Sequence, residues 1–276
     1  MEIAGKRSLR ISRILSVLFS FSVSGVFFVA GAKGVLAEEE ADGGAETLKL
    51  TAEIEHAQEL EPLSPALEAG STFNQAAIEK RFTPTDYWYR IPNWLGGIWQ
   101  RNEQNMLRQK SLTLSDKLKS SFIAAPRLGL FKSQVVYRWG HQYDRLGQIW
   151  NYVQFPYTSQ IQGSSFYTVQ VVRSAVPIKV NEKIVILKFR DSSHRVDYRT
   201  NQILSSQQSE SISMYSLYKP HVIYARFSRK EFNSDGKAKF IQESESYIPR
   251  VKSFYPQNFK DGKDLRLSLR HYLHTH

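Results

Sequence analysis

Cysteine is absent from this chain of 276 residues. Its absence excludes disulfide bonds, thiolate catalysis and cysteine-ligated metal centres, and it also excludes anchoring as a bacterial lipoprotein. The fold must therefore depend on an apolar core. Apolar residues make up 41% of the chain and aromatic residues 13%, which is enough for one sizeable domain.

The short motifs of several enzyme classes are also missing. The sequence has no His-Glu-x-x-His, no P-loop and no Gly-x-Gly-x-x-Gly, and Gly163-Ser164-Ser165 lacks the second glycine of a nucleophile elbow. We therefore predict no enzyme activity and no catalytic residue. The alternative is a hydrolase whose paired carboxylates come from separate strands, an arrangement that a sequence does not show.

The N-terminus has the pattern of a secretory signal peptide over residues 1–37. Basic residues between Lys6 and Arg13 precede the uncharged run Ile14–Ala32, and Val35-Leu36-Ala37 is a typical cleavage site. The pattern predicts an extracytoplasmic protein, in the periplasm or thylakoid lumen or at the cell surface. The alternative is an uncleaved signal anchor, which would be the protein's contact with a membrane.

Charge is distributed unevenly behind the formal net value of +11. Residues 38–70 hold ten acids and only Lys49 as a base, and no aromatic residue occurs between Glu38 and Ser71, so we predict an acidic flexible linker over 38–72. Residues 71–276 carry 31 basic and 15 acidic groups. Such a body favours an anionic lipid or glycan as partner, whereas nucleic acid is not expected outside the cytoplasm.

From residue 73 to 276 the pattern predicts one β domain. A short helix is expected at Asn74–Lys80, and about 8–10 strands then follow at intervals typical of antiparallel sheets. The expected turns lie at Asn181-Glu182, Lys219-Pro220 and 233–236. The tail Asp264–Leu273 fits a last strand or a short helix. We predict an all-β antiparallel barrel, with a β-sandwich as the alternative fold.

Two strands of this domain are rich in aromatic residues. In Gln134–Tyr143 the alternation places Tyr137, Trp139 and His141 on one face, and in Ile149–Phe155 it places Trp150 and Tyr152 together. His141 is either a contact to a bound ligand or a hydrogen-bonded core histidine.

The segment Gly97-Ile98-Trp99 resembles the Gly-x-Trp signature that opens the first strand of the lipocalins and related calycin barrels. The resemblance implies a closed barrel whose bottom is filled by Trp99. It also implies that an arginine from a late strand stacks on the indole, and Arg250 and Arg266 are the candidates.

These observations favour an exported, non-enzymatic protein that binds a hydrophobic small molecule such as a lipid, fatty acid or pigment. The alternative is an envelope interaction protein whose basic surface binds an anionic glycan, a lipid or a protein partner. We predict no metal site, although His271, His274 and His276 lie close together in the tail, and the sequence names no cofactor. The residues expected to line or close the ligand site are Trp99, Tyr137, Trp139, His141, Trp150 and Tyr152.

Overall fold

The computed structural model of the protein describes residues 54–75, 84–112 and 128–276. The predicted signal peptide at 1–37, the first part of the predicted linker and residues 76–80 of the predicted short helix lie outside these ranges.

Within the described ranges most of the regular structure is β-strand. One helix, α1 (Leu265–Thr275), ends the chain, and one 3-10 turn covers Pro65–Leu67. The strands are β1 (Thr85–Ile91), β2 (Gly97–Ser111), β3 (Gly129–Trp139), β4 (Gln142–Tyr143), β5 (Ile149–Phe155), β6 (Tyr157–Gln162), β7 (Phe166–Val180), β8 (Ile184–Asp197), β9 (Ile203–Lys219), β10 (Val222–Phe232), β11 (Ala238–Ser253), β12 (Phe259–Lys260) and β13 (Lys263–Asp264).

Eight of these strands form one large antiparallel sheet. Its order is β3-β2-β11-β10-β9-β8-β7-β6, so the strands from β6 to β11 each pair with their neighbour in the chain. The predicted all-β antiparallel fold is therefore confirmed. Within the described residues, however, no sheet closes into a barrel, because β3 and β6 form the two ends of the sheet order.

A small sheet with the order β1-β5-β4 lies apart from the large one. The chain passes from β3 of the large sheet into β4 of the small sheet at Gly140, whose φ is +82°, and a Cβ there would lie 2.5 Å from Cγ2 of Ile149. Only glycine fits this bend without displacing its neighbours. The strand predicted over Gln134–Tyr143 is consequently split between the two sheets, and Tyr143 is 54% exposed instead of sharing the face of Tyr137.

Side chains of both sheets meet in one apolar core. Tyr89 and Ile91 of β1 pack with Val185 and Leu187 of β8 and with Tyr215 of β9. The inner face of the large sheet, which faces the small sheet, is thus covered as it would be in a sandwich.

Residues 54–75 lie along the outer face of the large sheet. Two isolated bridges, Glu59 to Lys237 and Thr72 to Gln202, attach this segment, and Leu67 and Phe73 pack with apolar side chains of β7, β8 and β9. The second part of the region predicted as a linker therefore contacts the domain throughout its described length.

Local turn chemistry agrees with the expectations. β7 and β8 are joined at 181–183, β9 ends at Lys219 before Pro220, and the turn at 233–236 joins β10 to β11. The tail forms a helix rather than a strand. In the part of the chain that the structure describes, no helix has the length and apolar character needed to cross a bilayer.

Candidate functional site

Three of the six predicted ligand-binding residues lie in the core between the two sheets. Trp99, Tyr137 and Trp139 are 0%, 1% and 4% exposed, and the ring centroids of Trp139 and Tyr215 are 5.1 Å apart. The gap beside Trp139 has a volume of about 0 Å³ for a molecule the size of water. Ligand pockets usually have volumes of about 300–1,000 Å³, so these aromatic residues act here as packed core.

Trp99 is held on two sides. Its Nε1 donates a hydrogen bond to the carbonyl of Leu95 at 2.8 Å, and the guanidinium carbon of Arg250 lies 4.6 Å from the ring centroid. Of the two arginines considered, Arg250 is therefore the one that stacks on the indole. Arg266 lies in α1 and pairs with Asp264 at 3.2 Å.

Trp150 and Tyr152 lie on the other face of the small sheet, so the interior and these two residues do not form one site. Strand alternation brings the two side chains to the same face, as expected. There they pack with Trp88 against Leu265 and Leu269 of α1. The helix covers this second aromatic cluster in the way that the small sheet covers the first.

His141 connects the small sheet to the segment after β11. Its Nδ1 accepts a hydrogen bond from the backbone of Tyr152 at 3.0 Å, and its carbonyl accepts one from the backbone of Gln257 at 2.7 Å. Burial, together with the charges of Lys260 and Arg138, lowers the pKa of His141 well below its ordinary value. The imidazole is therefore neutral at pH 7 and serves as a hydrogen-bonded core group.

A groove between the β4–β5 turn and α1 has a volume of about 1130 Å³. We call it the helix groove. Its walls consist of Gln142, Tyr143, Asp144, Arg145, Leu146, Pro256, Asn258, Arg266, Leu267, Leu269, Arg270, His271, Leu273 and His274.

Asp144 builds one wall of the helix groove. Its carboxylate accepts hydrogen bonds from the backbone of Leu146 and Gln148 and from Nε1 of Trp150, at 2.8, 2.9 and 2.9 Å. Burial alone would raise the pKa of Asp144, but these hydrogen bonds outweigh it and lower the pKa. The turn is thereby fixed with the side chains of Arg145 and Leu146 exposed, Leu146 at 82%.

Helix α1 forms the opposite wall. One face of the helix packs on the small sheet, and the other face lines the groove. Asp264 caps the N-terminus by accepting hydrogen bonds from the backbone of Arg266 and Leu267. Leu265 and Leu269, four residues apart, are buried against the small sheet. On the other face, Arg270 and the half-exposed Leu267 and Leu273 line the groove.

The helix groove combines positive charge with apolar surface. Three arginines, Arg145, Arg266 and Arg270, line it together with His271 and His274, whereas Asp144 is the acid among its lining residues. Leu146, Leu267 and Leu273 contribute the apolar part. Such a surface complements a molecule that has both an apolar chain and an anionic group.

Two carboxylates do face inward from β8 and β10, on either side of β9, at the end of the sheet away from Trp99. Asp191 and Glu231 both pair with Arg229, at 3.4 and 3.3 Å, and burial raises the pKa of Glu231. The guanidinium of Arg229 contacts both acids. This arrangement is that of a structural ion-pair cluster.

No group of three or more His, Asp or Glu side chains among the described residues could hold a metal ion. The ring of His276 stacks on Tyr272 at 4.3 Å instead. The helix groove was not predicted, although the alternation of leucine with arginine and histidine after Asp264 carries its signal. What sequence reasoning lacked was the position of the β4–β5 turn opposite this helix.

Comparison with known proteins gives no relative: neither a family model, nor a curated protein, nor a solved structure matches this chain.

Proposed function

We propose that this protein is an exported, non-enzymatic binding protein that takes a hydrophobic molecule with an anionic head group into the helix groove. A fatty acid or an anionic lipid has this chemistry. The proposal keeps the hydrophobic ligand expected from the sequence, and it moves the binding site from the aromatic interior to the surface between the β4–β5 turn and α1.

The main support for the proposal is that exposed leucines and arginines line the same groove, which has a volume of about 1130 Å³. Arg145 and Arg270 line opposite walls of the groove, and each can donate charge-assisted hydrogen bonds to a carboxylate or phosphate held there. The half-exposed or exposed leucines then cover the adjoining apolar chain. Burial of each CH₂ group contributes about 0.8 kcal/mol, which makes chain length a strong determinant of affinity.

Export is the second part of the proposal, and it depends on residues 1–37. Their basic, apolar and small-residue regions have the order of a signal peptide. The absence of cysteine is compatible with an oxidising compartment, because the domain there needs no disulfide to fold.

A lipocalin-like relationship of the fold is also part of the proposal. Gly97 and Trp99 open β2, and the stacking of Arg250 on the indole supports the resemblance. The closed barrel that this relationship would imply differs from the open strand order of the described large sheet.

The proposal is tested by calorimetric titration of the exported protein with laurate and with dodecanol, which share a chain length and differ in charge. The Arg145→Gln/Arg270→Gln variant removes both arginines, and both side chains are exposed, so folding should be retained. We expect laurate affinity to fall roughly tenfold or more, since hydrogen bonds to charged groups contribute about 1.5–3 kcal/mol each. Dodecanol affinity should change little.

The matched control is Lys132→Gln/Arg199→Gln, which removes two exposed positive charges from the opposite end of the large sheet. This variant should bind laurate as the unaltered protein does. If both double variants lost the same amount of laurate affinity, the loss would be due to net charge and not to the groove. Unchanged laurate binding in Arg145→Gln/Arg270→Gln would contradict the proposed site.

A further inference from the structure

One end of the large sheet carries exposed apolar residues and lysines on neighbouring strands. The strand register brings three segments together there: the β7–β8 turn, the β9–β10 turn and the last residues of β11. Val180 pairs with Val185, Ile184 with Ser216, and Val222 with both Lys219 and Pro249. The segments are therefore adjacent in space although they are far apart in the sequence. We call this surface the lysine rim.

The apolar part of the lysine rim is unusually exposed for large side chains. Seven such residues, from β7, β9 and β11, are between 37% and 54% exposed: Val176, Ile178, Val180, Leu217, Tyr218, Tyr247 and Val251. The rings of Tyr218 and Tyr247 are 4.8 Å apart, so aromatic side chains of β9 and β11 contact each other at this end of the sheet. Contiguous apolar patches of this kind mark interaction sites in soluble proteins.

The charged part of the lysine rim is almost purely positive. Lys179, Lys183, Lys219 and Lys252 are exposed on the same three segments. The acid within residues 176–184, 217–222 and 247–253 is Glu182, and its carboxylate already pairs with Arg90 at 3.4 Å. A partner for this surface must therefore be apolar and negatively charged.

We propose that the lysine rim docks on the surface of an anionic lipid bilayer. Tyrosine is enriched at membrane interfaces, where its ring is half in apolar and half in polar surroundings. Lysines place their aliphatic stems along apolar surface and their ammonium groups in the head-group region. Ile178 and Val251 supply the aliphatic side chains that enter the acyl boundary. A bilayer of anionic lipids provides both the negative charge and the apolar layer that this surface requires.

This inference goes beyond the helix groove and uses none of its residues. If both proposals are correct, the lysine rim brings the protein to the membrane that contains amphiphiles of the kind that fits the groove. Either proposal can fail alone, because the two surfaces are altered by different substitutions.

The test is sedimentation of the exported protein with vesicles of phosphatidylglycerol and phosphatidylcholine in equal parts, and with vesicles of phosphatidylcholine alone. Mass spectrometry of the purified protein confirms that residues 1–37 are removed, so that their apolar run does not contribute. We expect binding to the anionic vesicles that weakens as salt is added, because salt screens exposed charges. Binding to the neutral vesicles should be much weaker.

Two rim variants separate the charged and apolar parts. Lys179→Gln/Lys219→Gln/Lys252→Gln should weaken partition onto anionic vesicles roughly 100-fold, since each lysine near such a surface contributes about fivefold. Ile178→Ser/Val251→Ser should weaken it at every salt concentration. All five side chains are exposed, so circular dichroism should show an unchanged fold.

The controls decide between this proposal and its alternatives. Anionic vesicles should bind normally to Lys132→Gln/Arg199→Gln and to the groove variant Arg145→Gln/Arg270→Gln. The groove variant should still bind laurate more weakly than the unaltered protein does. Undiminished vesicle binding in both rim variants would overturn the proposal, as would the absence of vesicle binding in the unaltered protein. So would a dimer in analytical ultracentrifugation that the rim variants convert to a monomer, because the surface would then be an interface between two copies of this chain.

Discussion

Around Trp99 the inner face of the large sheet buries aromatic and aliphatic side chains, whereas much of its outer face buries charged and hydroxylic ones. Trp99 and Glu210, on β2 and β9, are both 0% exposed. The indole is surrounded by apolar groups of both sheets. The carboxylate of Glu210 contacts Arg190, Lys188 and His56 at 2.9, 3.3 and 3.4 Å.

The difference follows from what covers each face. The small sheet supplies an apolar layer over Trp99, and this layer buries surface without needing directional partners. The segment 54–75 instead brings backbone groups: the amide of Ala57 donates to Glu210 at 2.9 Å, and the carbonyl of Ala57 accepts from Lys230 at 2.7 Å. Buried charges are tolerated there because each has partners. The inner face around Trp99 should therefore be insensitive to pH, and the outer face around Glu210 should be sensitive to it.

The largest effect on the free energy of unfolding is expected from Trp99→Ala, which removes an apolar side chain from the inner face. Removal of a fully buried aromatic side chain leaves a cavity and should reduce the free energy of unfolding by about 3–5 kcal/mol. Denaturant titration at several pH values measures the loss, which should be the same at each of them. Phe259→Ala, at a side chain that is 62% exposed, is the matched control and should cost less than about 0.5 kcal/mol.

Glu210→Gln should give the next largest effect, and its effect should depend on pH. Burial alone would raise the pKa of Glu210, but the contact with His56 and the hydrogen bonds from Ala57 and Arg190 lower it from 4.5 to about 2. A lowered pKa in the folded protein stabilises the fold at pH values above 4.5, and this stabilisation is lost as the pH falls towards 2.

The unaltered protein should accordingly exceed Glu210→Gln in unfolding free energy by roughly 2–3 kcal/mol at pH 7. The difference should shrink steadily below pH 4.5. Unfolding free energies measured from pH 7 to pH 2 test this expectation, and Glu68→Gln, at an exposed glutamate of the same segment, should show neither effect. A gap that stays constant with pH would mean that packing, and not ionisation, is what Glu210 contributes.

The smallest effect concerns a charge that lies on the apolar face. Arg250→Gln removes the cation above Trp99 and should cost about 1–2 kcal/mol, because a partly desolvated cation–π contact is stronger than an exposed one. Arg195, whose guanidinium carbon lies 3.9 Å from the centroid of Phe166, is exposed. Arg195→Gln should therefore cost about 0.5 kcal/mol. Equal unfolding free energies for the two variants would mean that the partly buried cation–π contact is no stronger than the exposed one.

Strand alternation and turn chemistry predicted much of this fold. The turns at Asn181 and Lys219 follow from local residue preferences, and the alternation in β5 correctly placed Trp150 beside Tyr152. What alternation did not predict was the break after Trp139. Gly140 resembles a tolerated glycine within a strand, and only the contact with Ile149 shows that it turns the chain into another sheet.

The candidate site was harder to predict for a related reason. Burial of an aromatic residue is favourable whether it lines a ligand cavity or fills a core, and the sequence of Tyr137 and Trp139 does not distinguish the two. The helix groove, in turn, depends on a tertiary contact between the turn at Asp144 and a helix more than a hundred residues later. The sequence of the tail shows the leucine, arginine and histidine residues of the groove, but it does not show that they face the β4–β5 turn.

The strand order of the large sheet has a consequence for how quickly the protein folds. Strands β6 to β11 pair with their chain neighbours, so the loops that close these pairings are short and their entropic cost is small. β2 pairs with β11, the strand of that sheet most distant from it in the chain, and this pairing places Trp99 beside Arg250. We expect the meander from β6 to β11 to form early and the docking of β2 to be the slow step. In refolding experiments, Trp99 fluorescence should therefore report the last event rather than the first.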